Sequence, residues 1–196
     1  MKRSEETINR IIQAALELFV RNGYHGTSIS DITRKVGVTK GALYAHFNSK
    51  DEVLIRIIEE FEIRYIDELI RSVSELPGNA LAKFHHAISF TSQFAAQNQD
   101  LCVFLTFLTT ELNADVDFEP ALKKIYRTYQ KFISQLVRQG VQQGLFKEEL
   151  DPDLTGLSFV AVHDGMLHQW VLNRNHIDVE KFVNNFQEIF LHGLMK

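Results

Sequence analysis

Residues 27–50, TSISDITRKVGVTKGALYAHFNSK, decide the fold. Ser28 is placed to cap a helix running to about Lys35, and Asp31 sits in its first turn, where a carboxylate meets the positive end of the helix dipole. Gly37 supplies a sharp turn. Thr39 caps a second helix to about His46, and Ser49 with Glu52 forms a capping box that starts another helix near Lys50. Two short helices joined by a glycine turn make a helix-turn-helix, whose second helix enters the DNA major groove.

The apolar positions of the motif are Ile29, Ile32, Val36, Val38, Leu43 and Phe47. They leave Thr39, Lys40, Gly41, Ala42, Tyr44 and His46 to DNA and solvent. Lys40 lies at the end of the recognition helix that points at base edges, within reach of a guanine or a phosphate. Gly41, lacking a Cβ, lets backbone approach the duplex. Tyr44 offers a hydroxyl suited to phosphate. Thr27 and Ser28 turn hydroxyls and helix N-terminal amides toward the DNA backbone, and Lys50 is placed to reach a phosphate. Thr27, Ser28 and Thr39 also serve as helix caps, and the two roles are compatible.

The charge distribution agrees. The chain of 196 residues has a net charge of −4, yet residues 1–50 carry eight Lys or Arg against four acids, leaving the remainder at −8. A cationic head on an anionic body orients a molecule on a polyanion.

Outward from the motif, helical periodicity continues almost everywhere and strand-like alternation is absent, so the expected class is all-α. Ile8, Ile11, Ile12, Ala15, Leu16 and Phe19 mark one face of a first helix that Gly23 ends. Val53 through Val73 keep the period of a long helix up to Pro77-Gly78. Further helices are expected over about 80–97, Leu101–Leu112, from Asp117 or Phe118 to about Gly144, 152–173 and from Asp178 onward, about nine in all. The expected division is a DNA-binding domain over 1–48 and an effector-binding and dimerisation domain over 49–196.

This pattern closely resembles the TetR family of bacterial transcription regulators. The residues that carry the resemblance are Gly23-Tyr24, Thr27-Ser28-Ile29, Ile32, Val36 through Tyr44, His46-Phe47 and Ser49-Lys50, within a match over about 8–54. Thr33 departs from the family's usual alanine. The resemblance implies a two-fold dimer, a double-stranded operator with inverted repeats, and a C-terminal domain that binds a small effector, most members being repressors released when the effector binds. The Asp164-Gly165…Trp170 stretch also resembles, more briefly, the branch that includes multidrug-efflux repressors.

In the body, residues 164–172 are apolar nearly all round, as a helix buried on every side must be. With the last helix they suit half of a four-helix dimer bundle. An aromatic excess suggests an apolar pocket for a lipophilic or aromatic effector, with Phe61, Tyr65, Phe84, Phe90, Phe94, Phe104, Phe107, Tyr126, Tyr129 and Trp170 as candidates. An alternative is metal sensing through His163, Asp164 and His168, where Asp164 and His168 are an i, i+4 pair. His85 and His86 diverge by about 100° on a helix and do not readily chelate one ion. Cys102 is the sole thiol, so no intrachain disulfide forms. No nucleophile elbow, phosphate-binding glycine loop, HExxH or CxxC occurs, so neither an enzyme nor a cofactor is expected. With no signal-like segment and no membrane-length apolar run, the expected location is the cytoplasm.

Overall fold

The computed structural model describes residues 2–111, 118–173 and 176–196. Leu112 and Asp117, two of the expected helix boundaries, lie outside them. Ten α-helices are present among the described residues, with no strand beyond one isolated bridge between Phe146 and Met195. The chain divides into two compact units, Met1–Glu62 with Asp100–Lys123, and Ile63–Gln99 with Lys124–Lys196.

The first unit holds α1 (Lys2–Asn22), α2 (Ile29–Val36), α3 (Lys40–Tyr44), α4 (Lys50–Phe61) and α7 (Gln99–Leu108), the last entering it at Asp100. Its core takes Ile11, Ala15 and Phe19 from α1, Ile32 from α2, Leu43 from α3, and Val53 and Leu54 from α4, all essentially inaccessible to water. These are the positions the 3.6-residue period selects. Gly37 ends α2 with φ of 75°, a left-handed conformation that a side chain would strain. The stacked rings of Phe19 and Phe104, 5.7 Å apart, join α1 to α7.

The second unit holds α5 (Glu68–Glu75), α6 (Ala80–Gln97), α9 (Pro152–Leu172), α10 (Val179–Leu194) and most of α8 (Glu119–Gln142). Phe159 of α9 is its hub, with Phe190, Phe84 and Phe186 at ring-centroid distances of 5.1, 5.6 and 5.6 Å. Such pairs add to the burial of their own area. Between α4 and α5, where one uninterrupted helix was expected, residues Glu62–Asp67 form a π-helical turn. The wider turn buries the neighbours Tyr65 and Ile66 together. No helix is long and apolar enough to cross a membrane, among the described residues.

Candidate nucleic-acid interface and effector cavity

The helix-turn-helix is built by its caps. Ser28 Oγ accepts from Asp31 N at 3.2 Å while Asp31 Oδ2 accepts from Ser28 N at 3.0 Å, a reciprocal box. Thr39 Oγ1 accepts from Ala42 N at 3.1 Å, fixing the start of α3. Ser49 Oγ accepts from Glu52 N at 3.1 Å, but Glu52 reaches back to Asn48 N, one residue before the cap. The sequence spacing therefore identified the cap correctly, whereas the return bond shifts by one position.

Thr39, Lys40, Gly41 and Tyr44 come together on the exposed side of α3. Tyr44 is 50% exposed, His46 is half-buried and Ser28 is exposed. A Cβ built on Gly41 meets only Thr39 Oγ1, at 3.8 Å. The fold gives no internal reason for glycine there, although glycine weakens a helix. Thr27 and Lys50 are placed differently. Thr27 is 1% exposed, and its hydroxyl donates to the carbonyls of Gly23 and Leu18 at 2.9 and 3.2 Å. Lys50 Nζ donates to the carbonyls of Tyr24 and Thr27 at 2.7 and 2.9 Å. Burial pushes the Lys50 ammonium pKa down, partly countered by the Asp51 charge. Both side chains thus hold the α1–α2 loop.

The second unit contains a cavity of about 110 Å³. Ile88, Thr91, Ser92, Ala95 and Ala96 of α6, with Gln99, form one wall. Phe159, His163, Met166, Leu167 and Trp170 of α9 form another, and Val179, Phe182, Val183 and Phe186 of α10 close it. No Lys, Arg, Asp or Glu lines it. His163 lies against the rings of Tyr129 and Phe159, and burial drives its pKa down to about 4, so the imidazole is neutral at pH 7. The neighbouring Asp164 carboxyl lies near the Tyr126 hydroxyl. Burial raises its pKa to about 6, outweighing the opposing effects of that hydroxyl and of the charge of His168.

Of the aromatic candidates, Trp170 lines this cavity. Phe61, Phe104 and Phe107 belong to the first unit, where Phe104 and Phe107 border a second hollow of about 300 Å³ with Phe19 and Tyr24. Tyr65, Phe90, Phe94 and Tyr129 pack on one another, with Tyr65 4.8 Å from Phe94 and 5.8 Å from Tyr129. Phe84 fills the aromatic core, and Tyr126 lies by Asp164. The sequence reading missed the small residues Thr91, Ser92, Ala95 and Ala96. Their i, i+1, i+4, i+5 spacing on one helix was the available signal. The histidines do not make a metal centre: among the described residues, no group of three or more His, Cys, Asp or Glu side chains gathers as ligands would.

The chain is similar to known proteins along most of its length. A family model described as bacterial regulatory proteins, tetR family, matches residues 11–57, and one described as YsiA-like protein, C-terminal region, matches 56–193. The fatty acid metabolism regulator protein of Bacillus subtilis (strain 168) is 25% identical over 194 residues, covering 99% of this chain and 98% of that protein. The transcriptional regulator FadR from Bacillus subtilis, solved in complex with stearoyl-CoA, superimposes with a TM-score of 0.81 at 26% identity, covering 94% of this chain and 97% of the other. The MbdR regulator from Azoarcus sp. CIB does so with 0.83 at 27% identity, covering 97% and 100%. The chain belongs to the TetR family and is a DNA-binding transcriptional regulator, not an enzyme, acting as a homodimer on operator DNA under the control of a small effector.

Proposed function

We propose that this protein is a cytoplasmic repressor released from its operator by the uncharged acyl portion of a long-chain acyl thioester. The observation that carries the reading is the cavity wall of the second unit. It is mostly apolar, lacks ionised side chains and presents a neutral imidazole. A carboxylate, phosphate or ammonium drawn inside would lose its hydration with no opposite charge to replace it. A neutral hydrocarbon chain suits such a wall, with its charged carrier left in solvent. Similarity to the FadR structure that holds stearoyl-CoA supports the same chemistry.

Functionally, residues 1–48 read DNA and 49–196 bind effector and partner. Thr39, Lys40, Gly41, Tyr44 and His46 face the major groove and its phosphates, with Ser28 at the backbone. Thr27 and Lys50 act through the loop they hold, whose amides meet phosphate. Two recognition helices in a dimer sit about 34–36 Å apart on successive major grooves. The chain leaves the first unit at Glu62, at the end of α4, whose start at Ser49 follows the recognition helix. An effector that favours one disposition of α4 shifts the dimer between binding and non-binding spacings, by no more than its differential affinity for the two.

The test is fluorescence anisotropy of a labelled duplex from beside the protein's own coding region, with stearoyl-CoA added. Release at micromolar stearoyl-CoA, with no release by free coenzyme A, is expected. Retention of the duplex at saturating stearoyl-CoA would overturn the acyl-thioester reading.

A further inference from the structure

Thr91 stands on the cavity wall and is itself 3% exposed. It does not stand alone. Tyr65 Oη donates to Thr91 Oγ1 at 3.0 Å. The Tyr129 hydroxyl lies close enough to both to interact with them, yet it is fully buried and makes no hydrogen bond of ordinary geometry. Three hydroxyls from the π-helical turn, α6 and α8 therefore lie together at the cavity wall.

Their bonding is incomplete. Each hydroxyl carries one proton and can accept two hydrogen bonds, so Thr91, accepting from Tyr65, still has its own proton to place, and Tyr129, the hydroxyl near enough to take it, makes no hydrogen bond of ordinary geometry. A buried donor left without a partner is costly, and native interiors rarely keep one. Among the three, Thr91 alone lines the cavity, so the cavity is the side toward which its proton is free to point.

We propose that Thr91, held in orientation by Tyr65 with Tyr129 behind it, is a specificity-determining donor that selects an effector bearing a neutral carbonyl oxygen within its apolar body. This rests on the cavity being the effector site. A carbonyl accepts that proton and brings no charge, which the wall could not balance. A pure hydrocarbon leaves it without an acceptor. A carboxylate accepts well but must be buried ionised beside no cation.

The test uses Trp170, the sole tryptophan of the chain and part of the same wall, as an intrinsic fluorescence probe. The probes are n-butylbenzene and 4-phenyl-2-butanone, similar in shape and differing by a carbonyl. Thr91→Val preserves side-chain shape and removes the donor, and Thr91→Ala replaces it should the valine variant not fold. The donor-free variant is expected to lose about five- to tenfold in affinity for the ketone and nothing for the hydrocarbon. Thr91→Ser, which restores the hydroxyl, is expected to recover the ketone affinity. Equal losses for both probes, or an unchanged ketone affinity, would overturn the assignment of Thr91 while leaving the cavity as effector site. No response of wild-type Trp170 emission to either probe would overturn both.

Discussion

Lys50 Nζ lies 4.1 Å above the centroid of the Tyr24 ring and 2.7 Å from the Tyr24 carbonyl oxygen, so one cation holds both the ring and the main chain of this residue in the loop after α1. The same ammonium holds Thr27, and the Tyr24 hydroxyl donates to Asp51, the next residue along. The start of α4 and the entry to the helix-turn-helix are thereby tied by side chains 26 positions apart.

Removing that tie tests whether Lys50 works through the loop. Lys50→Met keeps the aliphatic stem and deletes two charge-assisted hydrogen bonds, each contributing on the order of 1.5–3 kcal/mol before partial exposure is discounted. Thermal unfolding in the absence of DNA should show a fall of several degrees, with weaker operator binding alongside. An unchanged melting temperature with weakened binding would make Lys50 a simple phosphate contact.

Gly41 separates folding from recognition. A Cβ there enters open space, and alanine favours helix by about 0.5–1 kcal/mol, so Gly41→Ala should leave the melting temperature unchanged or raised. Operator affinity should nonetheless fall tenfold or more in a gel-shift titration, because the methyl group occupies the space reserved for the duplex. Lys40→Ala in the same assay should cost about 1–3 kcal/mol and relax preference at one base position if Lys40 reads a base, or weaken all duplexes alike if it meets a phosphate.

How much of this was legible beforehand divides along the two units. The caps Ser28, Thr39 and Ser49 and the turn at Gly37 are local chemistry, written in neighbouring residues, and each fell where the spacing placed it. The aromatic residues of the body could not be assigned the same way. Periodicity shows that Phe84 faces inward, but not whether it meets Phe159 or a void. Voids form where side chains are small opposite large ones, and Thr91, Ser92, Ala95 and Ala96 opposite α9 and α10 are such a place. The π-helical turn was equally hidden, since no proline or glycine marks it.

Adjacent residues His163 and Asp164 give opposite acid responses. The folded state resists protonating His163, whose pKa falls from an unfolded 6.5 to about 4, so acidification through that window destabilises the fold. The folded state favours protonating Asp164, raised from 3.8 to about 6, so acidification through its window stabilises the fold. Each is worth on the order of 1–2 kcal/mol once screening is counted, and they largely cancel in the wild type. Asp164→Asn should therefore lose melting temperature more steeply than wild type between pH 6.5 and 4.5. His163→Phe should lose it less steeply or gain. Parallel curves for all three proteins would contradict this pairing.

The exposed face of α9 carries Leu154, Leu157, Val162 and Leu172, between 45% and 75% exposed, and a Cβ on Gly165 along the same face meets nothing. We assign this face to the homodimer, since contiguous exposed apolar surface marks an interaction site. Leu157→Glu should shift sedimentation from dimer to monomer at micromolar concentration and abolish operator binding. A dimer of wild-type affinity would place the interface elsewhere.

The most direct measurement is a competition titration at about 0.1 M salt, with a labelled duplex from beside the coding region displaced by unlabelled duplexes of the same or scrambled sequence. A sequence-reading dimer should prefer its own site by roughly 10³-fold or more. Equal displacement by the scrambled duplex, or no binding to any duplex, would contradict the account.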